Sequence, residues 1–102
     1  MNPRIFLAAL LACGPMQAAD EPTSPDPTGR YGFNWSEPEG AACVPVDAAL
    51  KRRLGACTNG DTPSFTGASD HLVCPIGKGE FLAFPTRERC QEELETMQAN
   101  AP

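Results

Sequence analysis

The chain has 102 residues, with 13 acidic side chains, 8 basic ones and 1 histidine, for a net charge of −5. That balance argues against a nucleic-acid footprint, which needs a basic face, and against electrostatic attachment to anionic lipid. Five cysteines in so short a chain point to an oxidising compartment and a disulfide framework.

Arg4 precedes an apolar run from Ile5 to Ala12, which is broken at Gly14-Pro15. The run is shorter than the roughly 20 apolar residues that a membrane-spanning helix needs. A basic start before a short apolar stretch is the layout of a secretory signal. Cutting after Ala18 or Ala19 would put Met16 or Gln17 where an ordinary signal peptidase wants a small residue. Leu10-Leu11-Ala12-Cys13 fits better and resembles the lipobox of bacterial lipoproteins. The resemblance implies a signal over residues 1–12 and acylation of Cys13 as the first mature residue. More than one acyl chain would then hold the protein in a lipid bilayer. Gly14 in place of Asp implies retention at the outer membrane, facing the periplasm. A plain signal and a soluble periplasmic or secreted protein is the alternative. Without Arg4, seven basic side chains face 13 acidic ones, so the envelope address rests on the signal and not on charge.

Residues 13–30 carry Pro15, Pro22, Pro25 and Pro27 among small polar residues and show no apolar period, which reads as a flexible linker. A small folded domain is expected over 31–98. It opens on Tyr31, Phe33 and Trp35 at alternating positions, so an extended chain points the three rings one way. They form either a short strand burying one face or an exposed binding stripe. Asn34-Trp35-Ser36 matches the N-glycosylation pattern, which is empty in a bacterial chain.

A first helix is expected over Val46 to Leu54. Asp47 caps it, Val46, Leu50 and Leu54 make a narrow apolar stripe, and Gly55 stops it. Lys51, Arg52 and Arg53 fall near its C-terminal end, where positive charge is favoured. Residues 58–70 read as a loop anchored by Phe65. His71 to Ile76 and Glu80 to Phe84 read as a hairpin around a three-residue turn, Gly77 to Gly79. Pro75 makes the first of these strands an edge or a bulged one. Thr86 caps a second helix, Arg87 to Met97, whose apolar stripe is Cys90, Leu94 and Met97. Arg89 is spaced to pair with Glu93, while Glu92, Glu93 and Glu95 read as a solvated acidic face and residues 99–102 as a frayed tail.

With Cys13 set apart, Cys43, Cys57, Cys74 and Cys90 form two disulfides in one of three pairings. The compact choice joins Cys43 to Cys57 and Cys74 to Cys90. The expected fold class is a small disulfide-stabilised α+β domain with one β-hairpin, room for a third short strand, and two helices.

No catalytic set emerges. The four cysteines are separated by 13, 16 and 15 residues, without a close pair, and His71 is the sole histidine, which speaks against a metal site. Asp70 and His71 are adjacent and face opposite ways in a strand, so His71 reads as a surface residue at a strand entrance. Glu88, Glu92 and Glu95 share a helix face but lack the apolar surroundings that a general acid needs. Gly77-Lys78-Gly79 is a turn and not a phosphate loop. The reading is a non-enzymatic envelope lipoprotein without a cofactor, binding an envelope protein or a cell-wall partner. Tyr31, Phe33, Trp35 and Phe65 are its candidate surface. A secreted inhibitor or small enzyme acting on wall or protein substrates, and a purely structural envelope protein, are the alternatives.

Overall fold

The structure, a computed structural model, describes residues 24–100. The expected signal, Cys13, the first part of the expected linker and the last two residues lie outside the described residues. Five strands, β1 (Tyr31–Asn34), β2 (Val44–Pro45), β3 (Thr58–Asn59), β4 (Leu72–Ile76) and β5 (Gly79–Phe84), accompany two helices, α1 (Ala48–Arg53) and α2 (Arg87–Asn100). The strands form one antiparallel sheet in the order β2-β1-β5-β4-β3. The expected α+β class therefore holds, with more strands than the sequence suggested. The additional β2 and β3 are two residues long and exposed, too short to leave an alternating pattern.

Period-two alternation sorts the side chains onto two faces. Phe33, Leu82 and Phe84 point to one face and pack with Cys90, Leu94 and Met97 of α2. Leu72, Cys74, Phe81 and Ala83 point to the other and pack with Val46 and Cys57, flanked by Leu50, Leu54 and Ile76. Phe33 and Phe84 are almost wholly buried, and each such side chain contributes ~2–3 kcal/mol of transfer free energy. Gly32 precedes Phe33 on β1, opposite Ala83, where a Cβ would meet the Leu82 carbonyl oxygen at 2.0 Å. No helix among the described residues is long and apolar enough to cross a membrane.

Both helices start where their capping residues place them. The Asp47 carboxylate accepts from the Leu50 N–H at 2.8 Å, and the Thr86 hydroxyl accepts from the Arg89 N–H at 3.1 Å. Helix α2 runs on to Asn100, beyond the expected end at Met97, and includes Ala99 and Asn100 of the expected frayed tail. The hairpin turn is one residue tighter than expected: Ile76 pairs with Gly79, leaving Gly77 and Lys78 as the loop. Gly77 has φ +55°, the left-handed conformation that the first position of such a two-residue turn requires. Pro75 lies inside β4 opposite Glu80, past the end of β3, and its carbonyl accepts from the Gly55 N–H at 2.8 Å. The packed body also begins before Tyr31. Pro27 is buried, and the Gly29 N–H and Arg30 carbonyl exchange backbone hydrogen bonds with Val46 at 3.1 and 2.8 Å.

The disulfides are Cys43–Cys90 and Cys57–Cys74, which corrects the compact pairing expected from sequence proximity. Antiparallel register explains the second bridge. Thr58 pairs with Val73, so Cys57 and Cys74 fall opposite each other, with Cα atoms 4.1 Å apart. The first bridge ties the segment before β2 to α2. Each bridge thus joins elements that are distant in sequence and adjacent in the sheet-and-helix stack.

Loop-closure entropy ranks the two bridges. Replacing Cys43 and Cys90 by alanine opens a closure of 47 residues and is expected to cost about 4 kcal/mol; opening the 17-residue Cys57–Cys74 closure should cost about 3 kcal/mol. Urea unfolding of the two double variants checks the order, and a larger loss for the Cys57–Cys74 pair would contradict it.

Candidate functional site

The loop between β3 and β4 has little apolar content of its own and is held by polar contacts to α2. Glu93, one turn after Arg89, is completely buried. Its carboxylate accepts from the Ser64 hydroxyl at 2.8 Å, from the Thr66 N–H at 3.3 Å and from the Thr66 hydroxyl. Arg89 completes the set, donating to Glu93 at 2.9 Å, to Asp70 through two nitrogens at 2.8 and 2.9 Å, and to Glu92 at 2.9 Å. Arg30 reaches the same corner, donating to the Asp70 carbonyl at 3.0 Å. Both ends of the 64–70 segment are therefore fastened to one guanidinium–carboxylate cluster.

The expected Arg89–Glu93 pair is present, but Glu93 belongs to the buried interface and not to a solvated acidic face. The signal was available in the spacing. Cys90, Leu94 and Met97 define a stripe at i, i+4 and i+7, and Glu93 occupies its i+3 position. Two hydroxyl residues at alternating loop positions, Ser64 and Thr66, supply the donors that make the burial affordable.

His71 also departs from expectation. It is 4 % exposed, where a surface position was expected. Its parity in the strand is that of Val73, which places it on the α2 side of the sheet, with its ring 5.9 Å from that of Phe84. Asp70 also reaches α2, through Arg89, so the two adjacent side chains do not part to opposite faces as expected for a regular strand. The His71 Nδ1 atom is buried and has no hydrogen-bond partner among the described residues.

Beside His71, the fastened loop and the sheet enclose a cleft of about 230 Å³, walled by Trp35, Phe65, Val73 and Leu82, with Thr62, Ser64, His71 and Glu80 as its polar lining. Trp35 is 40 % exposed and is fixed in place. Its indole N–H donates to Glu80 at 3.0 Å, its backbone N–H donates to the Glu80 carbonyl at 3.2 Å, and its ring meets Phe65 edge-on at 6.1 Å. A larger groove of about 530 Å³ lies at the hairpin tip near Asn34, Ser36 and Arg53. Within it Asn34 accepts from the Ser36 N–H, and Ser36 accepts from the N–H of neighbouring Glu80.

The aromatic candidates thus separate. Phe33, at 1 % exposure, is core and unavailable to a partner. Tyr31 is half-buried on the α2 side with the Arg87 guanidinium 4.7 Å above its ring. Trp35 lies beyond the end of β1, in a turn, and leaves the stripe to join Phe65 at the cleft. Among the described residues no group of acidic, histidine and cysteine side chains is arranged to hold a metal ion. Nor does a serine or carboxylate hydrogen-bond to His71, so no nucleophile–base pair is assembled there. The chain matches no protein-family model, no curated protein and no solved structure, so the reading of its site rests on geometry.

The cluster is expected to make the domain acid-sensitive. Burial alone pushes the Glu93 carboxyl up, but the hydrogen bonds from Thr66, Arg89 and Ser64 outweigh it and hold the group below its ordinary value. The Arg89 hydrogen bonds likewise hold Asp70 low. As pH falls the unfolded chain takes up these protons first, so the stabilisation is complete above the ordinary carboxylate range and is lost below it. Unfolding free energy is expected to fall as pH drops below about 4. Glu93→Gln should lower stability at neutral pH by about 2 kcal/mol and flatten the acid limb, and an unchanged acid limb in that variant would contradict the assignment.

Proposed function

We propose that the chain is a non-enzymatic binding module of the bacterial envelope. Cys13 carries the lipid anchor at the outer membrane, and the residues after it act as a tether to a domain facing the periplasm. The domain binds an envelope protein through the Trp35–Phe65 cleft. The observation that carries this reading is a large exposed ring, Trp35, held rigidly by Glu80 and Phe65 beside a concave surface. Exposed aromatic side chains fixed before contact lose little entropy on binding and are the usual anchors of protein interfaces. His71 without a hydrogen-bonding acid or nucleophile favours recognition over catalysis at this cleft.

Site-specific photo-crosslinking in the native envelope tests it. A benzophenone side chain introduced at Thr62, on the cleft rim, is expected to give a discrete protein adduct. The same group at exposed Arg52, on α1, should give none. Trp35→Ala should reduce the Thr62 adduct by about tenfold or more, the scale of an interface anchor, while the domain stays folded. Equal labelling from both positions, or an adduct indifferent to Trp35, would contradict the proposal.

A further inference from the structure

Resting on that reading, we infer that the cleft takes a basic side chain of the partner protein, with a guanidinium as the best fit. The volume, about 230 Å³, is below the usual range for a drug-sized ligand and suits one inserted side chain. Its walls are the Trp35 and Phe65 rings, whose π faces attract a cation. Among the described residues Glu80 is the one carboxylate lining it, and no lysine or arginine does. One Glu80 oxygen is engaged by the Trp35 indole, which leaves the other to accept from a guest.

His71 lines the same cleft, but its Nδ1 is buried and out of a guest's reach. The polar capacity that the cleft offers a guest is acceptor capacity at the Glu80 carboxylate, beside the Trp35 and Phe65 rings. A guanidinium offers only donors and positive charge, has a planar face that stacks on an indole, and sheds water more readily than an ammonium. An acidic guest would meet Glu80, and a purely apolar one would leave the second Glu80 oxygen without a donor from the guest.

The test uses the full mature chain and N-acetyl-arginine amide as probe. Trp35 is the only tryptophan and His71 the only histidine of the chain, so indole fluorescence and the imidazole NMR signals each report on the cleft without ambiguity. Both are expected to respond saturably, with half-saturation on the order of millimolar for a single side chain. N-acetyl-citrulline amide, neutral and nearly isosteric, should bind about tenfold more weakly or worse, as should the norleucine analogue. Glu80→Gln, which keeps an acceptor for the Trp35 indole, should weaken the arginine probe by about fivefold with the melting temperature unchanged. Citrulline or norleucine matching arginine would overturn the basic-guest assignment, as would rings unmoved by the arginine probe at about 100 mM. If the Thr62 photo-adduct survives while the probe fails, the binding module stands and only the guest is wrong; if both fail, both are rejected.

Discussion

Burying a carboxylate costs several kcal/mol unless its oxygens find donors and its charge a partner. Glu93 satisfies that demand by recruiting Arg89 from its own helix and Ser64 and Thr66 from a loop nearly thirty residues earlier in the chain. The requirement works in both directions. The loop, with few apolar side chains of its own, could not be fixed by hydrophobic contact alone, and the carboxylate could not be buried without the loop. Asp70, held by the same guanidinium, sets where the loop ends and β4 begins. Because the loop lies where Glu93 requires it, Phe65 stands against Trp35 and His71 is covered, and the cleft exists as a consequence.

The sheet and its two cystines provide the frame in which this cluster can form. Helix α2 is held to the sheet by Phe33, Phe84, Leu94 and Met97, and it is also bonded covalently through Cys43–Cys90. That bridge fixes the turn of the helix carrying Arg89 and Glu93. At the other side of the sheet Cys57–Cys74 clips β3 to β4, so the loop between them leaves and returns at a fixed separation. A domain of this size has a thin core and depends on such closures.

The elements with a local cause were legible in the sequence. Asp47 and Thr86 mark their helices because a cap acts within one turn, and Phe81 to Phe84 announced a strand by composition. The cystine pairing was not legible, because proximity in the chain is a poor guide to proximity across an antiparallel register. The face that His71 occupies depends on where β4 begins, which no local signal marks. Trp35 looked like a third member of a stripe with Tyr31 and Phe33, but β1 ends at Asn34 and the turn redirects the ring to Phe65. The burial of Glu93 could have been suspected from its place in the α2 stripe. The identity of its loop partners needed the tertiary arrangement.

Amide hydrogen exchange of the Glu93→Leu variant addresses the central dependence most directly, since leucine keeps the packing volume, and Arg89 retains Asp70 and Glu92 as partners. The amides of residues 64–67 are expected to lose their protection, Thr66 foremost because its N–H is bonded to Glu93, while those of β4 and β5 stay protected. Loop amides as protected as in the wild type would contradict that dependence, because the loop would then be held by something other than the buried carboxylate.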